Sequence, residues 1–193
     1  NIIKITSGSN KYASKLVKIL YETIITAGVR PVSSIKVAEA SKILENTQRD
    51  LNISLINEFA LICDRLDIKT VDVIEAASSK WNFQKFTPGL VGGHCISVDP
   101  YYLTYKSLQV GYQPDVILSG RRVNESIPNF IVHKTLKKII ANGKKISKSN
   151  VLLLGSTFKE NCSDFRNSKV IDIYHHLKDY MVKTDIYDPL ING

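Results

Sequence analysis

The pattern of apolar and polar positions divides the chain into an α/β beginning, a helical middle and an α/β end. Ile2 to Thr6 form an apolar run typical of a strand, and residues 12–26 carry apolar side chains at helical spacing. No glycine or proline then interrupts the helical pattern from Ile35 to Leu66. We expect a continuous helix there, the spine helix, whose apolar stripe suits a central element or a dimer contact.

Shorter helices are predicted downstream of the spine helix. The pattern places them at residues 71–78, 99–110 and 114–141, with the last one interrupted at Pro128. Asp99 is expected at an N-cap, with Pro100 in the first turn. These elements make the middle of the chain all-helical.

The end of the chain changes period and predicts a β-α-β unit. Asn150 to Gly155 form an apolar run typical of a buried parallel strand, followed by a helix at residues 169–180 and a strand from Lys183 to Tyr187. Ligands bind such units at the carboxyl ends of the strands. The polar loop after the first strand contains Lys159 and Arg166.

Composition limits the classes of protein to consider. The chain has 193 residues, 44% of them hydrophobic, and no apolar run near the roughly 18 residues that span a bilayer, so neither disorder nor a membrane partner is expected. The net charge of +8 is spread along helices without interleaved aromatics. An anionic small molecule such as a nucleotide-linked substrate explains that charge as well as nucleic acid does, and we expect no nucleic-acid partner.

The three cysteines favour a reducing compartment. Cys63, Cys95 and Cys162 are odd in number and widely spaced, without a CxxC motif. Neither a disulfide framework nor a metal site is indicated, and the cytoplasm is the expected location. Cys63, on the apolar stripe of the spine helix, is expected in the core.

The segment from Thr87 to Pro100 is the strongest candidate for chemistry. Its glycines allow close backbone approach, Cys95 follows the Gly92-Gly93 pair after one intervening residue, and Asp99 lies four residues further on at a helix start. A helix N-terminus favours a thiolate, so the pattern is typical of a presented reactive thiol. The alternative is a surface turn with one buried cysteine, which a lone Gly-Gly-x-Cys favours.

Other polar and aromatic positions have two interpretations. Lys42 and Asn46 share a face of the spine helix, continued by Asp50 and Asn57, and form either a site or a solvated polar face. Trp81 precedes the glycine segment and belongs either to a ligand loop or to an aromatic plug packed on the helices. The arginine pair Arg121-Arg122 is interpreted as part of the solvated surface.

Three separated motifs resemble the UDP-glucose/GDP-mannose dehydrogenase family. They are Ala38–Asn46, Val91–Cys95 with Asp99, and Thr157–Asn161 with Asp164 and Arg166. Within this family they are similar to the bacterial branch that acts on UDP-N-acetylhexosamines for surface polysaccharides. In this order along almost the whole chain, the motifs are far more specific than any one alone.

The resemblance implies an α/β fold whose central all-helical dimerisation domain, built on the spine helix, is flanked by truncated Rossmann-like pieces. Residues 1–32 correspond to the end of an NAD-binding Rossmann domain, 33–127 to the central domain, and 128–193 to the start of a UDP-sugar-binding domain. The family oxidises the sugar C6 alcohol twice with two NAD⁺ and forms homodimers through the central helix. The activity would belong to a longer enzyme, with this stretch inactive by itself; the alternative is a non-catalytic dimerisation or nucleotide-sugar-binding module.

The resemblance also implies roles for individual residues. Cys95 matches the nucleophile, Lys42 the oxyanion-stabilising lysine, Asn46 its partner, and Asp99 the carboxylate that assists proton transfer. Arg166 matches a cofactor contact. The implied substrate-binding residues are Phe86, Thr87, Pro88, Gly89, Leu90, Val91, Gly92, Phe158, Lys159 and, on the neighbouring subunit, Lys80.

Overall fold

In chain order, a parallel strand pair is followed by the helices of the middle segment and then by a second parallel pair. The structure is a computed structural model that describes residues 2–191. The chain divides into two compact units, residues 1–46 and residues 47–193. Within residues 2–191, no helix combines the length and apolar character needed to cross a membrane.

The first unit confirms the predicted strand-helix-strand order. Strand β1 (Lys4–Thr6) pairs in parallel with β2 (Val29–Pro31), and helix α1 (Lys11–Glu22) connects them. Asn10 begins α1 because its side-chain Oδ1 accepts a hydrogen bond from the Ala13 amide at 2.9 Å. The helix ends four residues earlier than its apolar pattern predicts.

The spine helix α2 (Ile35–Leu66) has the predicted bounds. It is followed by α3 (Thr70–Ser78) and α4 (Asp99–Gln109). The N-cap of α4 is Val98, whereas Asp99 was expected there. Asp99 is already inside the helix because its amide donates to the Cys95 carbonyl at 2.9 Å.

Helix α5 (Asp115–Ala141) is continuous, so the predicted interruption at Pro128 is wrong. Proline removes one helical hydrogen bond, which normally ends or kinks a helix. Here Pro128 lies on a buried turn beside Ile127, with Val132 buried one turn later. Packing of that apolar face compensates for the lost bond, as tertiary contacts commonly do in helices.

The second strand pair is the predicted β-α-β unit. A 3₁₀ turn (Ile146–Lys148) leads into β3 (Asn150–Leu154), which pairs in parallel with β4 (Lys183–Tyr187) through helix α6 (Lys169–Asp179). Burial of β3 alternates, with Leu152 and Leu154 exposed, so the expectation of a fully buried strand is wrong. The reason is that α5 and α6 supply the core against one face of the pair only.

The hydrophobic core of the second unit lies between α5, α6 and the start of β4. Its buried members are Val132, Leu136, Ile173, Leu177 and Val182. Side chains from β3 and from the segment before Val91 pack against this cluster. The core therefore links the second strand pair to the glycine-bearing segment.

A buried polar network joins the second half of α2 to α5. Arg121 Nη1 donates to Asp50 Oδ1 at 2.7 Å, and Asn124 Nδ2 donates to the same oxygen at 2.7 Å. Asn57 Nδ2 donates to Asn124 Oδ1 at 2.8 Å. All four side chains are buried, with Asp50 at 0% exposure and Arg121 at 2%. The interpretations of Asp50 and Asn57 as a solvated face, and of Arg121 as surface, are therefore wrong.

The network continues to α6 through charged side chains. Arg121 Nη2 also donates to Glu125, which in turn accepts from Lys169 Nζ. Lys169 donates to Asp172 within the first turn of α6 at 3.0 Å. The guanidinium of Arg121 lies 5.0 Å from the ring centroid of Tyr101 in α4. Arg121 thus connects three helices of the second unit.

Burial governs the ionisation of the central pair. Loss of solvent raises the pKa of the Asp50 carboxyl despite the opposing effect of Arg121 and the hydrogen bond from Asn124. Burial alone would lower the pKa of Arg121, but contacts with Tyr101, Asp50 and Glu125 raise it. Each charge is therefore tolerated because the other is present.

We expect Arg121→Met to lower the free energy of unfolding by about 3–5 kcal/mol, because it leaves Asp50 buried without its cation. Losing the cation also raises the pKa of Asp50 further. A carboxyl whose pKa is higher in the folded than in the unfolded protein lowers the free energy of unfolding as pH rises toward the folded-state pKa. The deficit should grow from acidic to neutral pH in urea titrations. The neighbouring Arg122→Met is the control, since Arg122 is exposed and its side chain donates to Ser119 Oγ within the same helix; an equal effect of both substitutions would contradict the expectation.

Candidate active site

Cys95 lies in an exposed turn immediately before α4. Its backbone carbonyl accepts hydrogen bonds from the amides of Val98 and Asp99, which fix the turn. Its side chain is accessible. Cys63 is buried in the core, as predicted, and Cys162 is half-buried. The alternative in which the glycine segment hides a buried cysteine is therefore wrong for Cys95.

Gly93 is required by the close packing in front of this turn. Its φ is +85°, which favours glycine, and a Cβ at this position would lie 2.5 Å from Cδ2 of Phe158. The backbone of Gly93 and the ring of Phe158 are thus in direct contact. Any other residue would have to displace the ring, which lies on the loop between β3 and α6.

The glycine segment and the β3–α6 loop meet at further points. The Gly93 amide donates to the Asn167 carbonyl at 3.2 Å. The His94 ring packs edge-on to Phe158 at 6.0 Å between centroids, and His94 Nδ1 lies 3.8 Å from Asp164 Oδ2. The structure therefore brings together two of the three motifs, one around Cys95 and one around Phe158.

Arg166 is held by Asp164 but remains accessible. Its backbone amide and its Nε donate to Asp164 Oδ1 at 3.0 and 2.9 Å, and Nη2 donates to Oδ2 at 2.8 Å. These hydrogen bonds hold the pKa of the Asp164 carboxyl well below its usual range. The Arg166 side chain is 73% exposed. Because Nε and Nη2 bind Asp164, Nη1 is the guanidinium nitrogen that could contact an anionic ligand.

The loop from Phe86 to Gly92 has an outer and an inner side. Thr87, Pro88 and Gly89 are exposed, whereas Val91 is buried and Leu90 packs on the core cluster. The side chain of Asn57 holds the loop at its centre. Asn57 Nδ2 donates to the Gly89 carbonyl at 3.0 Å, and Asn57 Oδ1 accepts from the Gly89 amide at 2.9 Å.

The remaining predicted site residues lie apart from these contacts or in the first unit. Lys159 follows Phe158 and is exposed, and Lys80 is exposed after the end of α3. Lys42 is exposed and pairs with Glu45 at 3.1 Å, whereas Asn46 is buried. Because Lys42 and Asn46 belong to the first unit, their proximity to Cys95 stays a prediction.

Two features were missed by the sequence interpretation or run against it. Asn124 was not singled out, and Asn57 was placed only on the polar face of α2 that was interpreted as either a site or a solvated surface. Trp81 is 98% exposed, so its interpretation as an aromatic plug is wrong. Among residues 2–191 there is no group of three or more His, Cys, Asp or Glu side chains arranged to hold a metal ion.

The comparisons with known proteins agree with the motifs. The chain is 54% identical over 193 residues to UDP-N-acetyl-D-glucosamine 6-dehydrogenase of Salmonella typhi, covering 100% of this chain and 45% of that protein. It is 52% identical to the enzyme of the same name from Pseudomonas aeruginosa, covering 100% of this chain and 46% of that one. The chain therefore spans a little under half the length of these curated relatives.

A solved structure and two family profiles extend the match. The structure of UDP-D-ManNAc dehydrogenase from Pyrococcus horikoshii superposes with a TM-score of 0.89 at 29% identity, covering 99% of this chain and 45% of that one. The central domain of the UDP-glucose/GDP-mannose dehydrogenase family matches residues 36–126, and its UDP binding domain matches residues 152–193. The chain belongs to the UDP-glucose/GDP-mannose dehydrogenase family.

Proposed function

We propose that this chain is part of an enzyme that oxidises the C6 alcohol of a UDP-N-acetylhexosamine to the uronic acid, for surface polysaccharide synthesis. The observation that carries the proposal is the exposed Cys95, presented at the end of a glycine segment that packs on Phe158. High identity to two UDP-N-acetyl-D-glucosamine 6-dehydrogenases supports the substrate class.

Oxidation of an aldehyde to an acid by hydride loss requires a tetrahedral adduct, and Cys95 is the proposed nucleophile. The first oxidation removes a hydride from C6 and a proton from its hydroxyl, giving the aldehyde. The Cys95 thiolate then adds to C6 and forms a thiohemiacetal. Loss of a second hydride gives a thioester, and water releases the carboxylate and regenerates the thiol. Bound NAD⁺ would accept the hydride at each oxidation.

The other proposed residues handle charge and protons. Lys42 stabilises the oxyanions that develop at C6, and Asn46 holds an oxygen or a water beside it. Asp99 assists proton transfer or orients the hydrolytic water. Asp99 is in the first turn of α4, and its amide bonds to Cys95, which supports a role next to the thiol.

The proposed substrate and cofactor contacts are those that the resemblance to the family implies. The backbone of residues 86–92, with Phe158 and Lys159, is proposed to hold the UDP-sugar, and Lys80 to act on the neighbouring subunit's substrate. The accessible guanidinium of Arg166 fits a contact with NAD. The proposed domain division is a Rossmann remnant at 1–32, a central helical domain at 33–127 and a UDP-sugar-binding segment at 128–193.

A homodimer through the spine helix is also proposed. Leu55, Ile62 and Leu66 follow one another on the same face of α2, and all three are exposed. Three exposed apolar side chains on one helix face form a surface of the kind that marks an interface. A two-fold contact through this face would cover it.

We expect Cys95→Ser in the full-length enzyme to lower turnover at least about 10⁴-fold while UDP-sugar binding is retained, because the nucleophile is lost but the pocket is not. Steady-state assays and calorimetry measure the two properties. Cys162→Ser is the matched control and should keep the parental rate. Near-normal turnover of Cys95→Ser would contradict the nucleophile assignment.

We expect the full-length enzyme to reduce two NAD⁺ for each UDP-N-acetylhexosamine consumed, since both oxidations remove a hydride. Absorbance of NADH against product measured by chromatography gives the ratio. Residues 1–193 alone should show no dehydrogenase activity and only weak, salt-sensitive UDP-sugar binding. A ratio of one would remove the thioester step and with it the role of Cys95.

We expect Leu55→Asp with Ile62→Asp to convert the dimer to a monomer, because two carboxylates in an apolar contact would be buried without partners. Sedimentation at micromolar concentration measures the assembly, and far-ultraviolet circular dichroism checks that the fold is kept. Ser126→Asp adds a single carboxylate to an exposed site on α5 and serves as the control. An unchanged sedimentation coefficient in the double variant would contradict the proposed contact.

A further inference from the structure

The side chain of Asn57 holds the centre of the glycine-bearing loop. Between residues 84 and 92 the backbone lies outside any helix or strand. Asn57 makes two hydrogen bonds to this stretch of backbone: it donates to the Gly89 carbonyl and accepts from the Gly89 amide. Unpaired backbone groups normally require such a partner when a loop is held in one conformation.

The Asn57 side chain cannot rotate to another arrangement without loss. Its Nδ2 group donates to both the Gly89 carbonyl and Asn124 Oδ1, so both protons of the amide are used. Asn124 is fixed in turn, because its own Nδ2 donates to Asp50 at the carbonyl (3.0 Å) and at Oδ1 (2.7 Å). The buried Asp50–Arg121 pair thus sets, through Asn124, the orientation of the Asn57 side-chain amide that bonds to Gly89.

Gly89 itself is open on its outer side. A Cβ added there would meet no protein atom within 4 Å, and its φ is not in the left-handed region. Neither packing nor backbone conformation within this chain therefore requires glycine at this position. A missing side chain over open space lets a ligand approach the backbone closely.

We propose that Asn57 is a positioning residue that holds Gly89, and with it the outer side of the loop, in the conformation that receives the UDP-sugar. Asn124 and the Asp50–Arg121 pair orient the Asn57 amide. The proposal rests on the proposed function for the identity of the ligand. Asn57 touches the loop but takes no part in the oxidation, so it acts on substrate affinity and not on the chemical step.

In the full-length enzyme, Asn57→Ala should raise the KM for the UDP-sugar about tenfold while kcat changes less than about threefold, since two hydrogen bonds that order the loop are lost. Hydrogen exchange at the Gly89 amide should become faster. Asn124→Ala leaves both Gly89 contacts possible but frees the amide, and should give the same direction of change with a smaller size. Because the two residues act in series, the double variant should cost less than the sum of the single ones.

Asn57→Ser covers the case in which Asn57→Ala fails to fold, because it adds no buried charge beside Asp50 and keeps one polar group at the site. Its short hydroxyl cannot replace both bonds to Gly89, so KM should rise with little change in kcat. Asn142→Ala is the control, because this exposed asparagine ends α5 and its side chain donates to the Lys138 carbonyl, within the same helix.

Faster exchange at Gly89 without a higher KM would overturn the positioning role, and so would a loss confined to kcat. A parental enzyme that turns over no UDP-sugar would instead contradict the proposed function, and exchange at Gly89 would still report the loop contact.

Discussion

The burial of one ion pair constrains the second unit of this chain. Asp50 and Arg121 are almost completely removed from solvent, and such charges are tolerated only when close partners replace water. The replacement is incomplete even here, since Asp50 Oδ2 and Arg121 Nε have no partner among residues 2–191. Each neighbouring amide therefore matters more than it would at the surface, because a lost bond leaves a buried charge less compensated. This explains why α2 and α5 meet through asparagines in a region where apolar side chains would pack as well.

The same requirement extends from the helices to the loop that carries the proposed chemistry. An irregular segment has no ladder of its own, so its backbone groups need side chains or neighbouring loops as partners. Here Asn57 serves Gly89, and the carbonyl of Asn167 serves Gly93. Asn57 lies in the segment that matches the family's central domain, and Asn167 lies in the segment that matches its UDP binding domain. The turn at Cys95 is thus fixed from both family segments, which is how a site can be rigid although its reactive group is exposed.

The sequence predicted the elements well because their signals are local. The spine helix has no interruption from Ile35 to Leu66, and the β4 strand is bounded by clear turn signals, so both were predicted with the observed limits. The expected break at Pro128 was wrong because the turn around it is buried by tertiary packing, which no local pattern reports. Arg121 was assigned to the surface for the same reason: the carboxylate that accompanies it lies 71 residues away in sequence. Pairing across such distances is decided by tertiary packing, and the exposure of Cys95, which its glycine motif left open, is likewise known only from the structure.

The buried cations and the exposed cations of this chain have different roles: the buried ones stabilise the fold, and the exposed ones are available to ligands. Arg121 and Lys169 are buried or half-buried and are neutralised by Asp50, Glu125 and Asp172, so they contribute little to the field outside. Lys159 and Arg166, two of the cations proposed to meet ligands, are exposed on the β3–α6 loop. A diphosphate approaching them would displace water from exposed side chains, an exchange that favours fast, salt-sensitive encounter over tight binding. Specific affinity must then come from the preorganised backbone of the glycine-bearing loop, which costs no side-chain entropy to order. Discrimination among anionic ligands would then depend on the uncharged contact at Gly89. The excess of lysines would attract all such ligands alike.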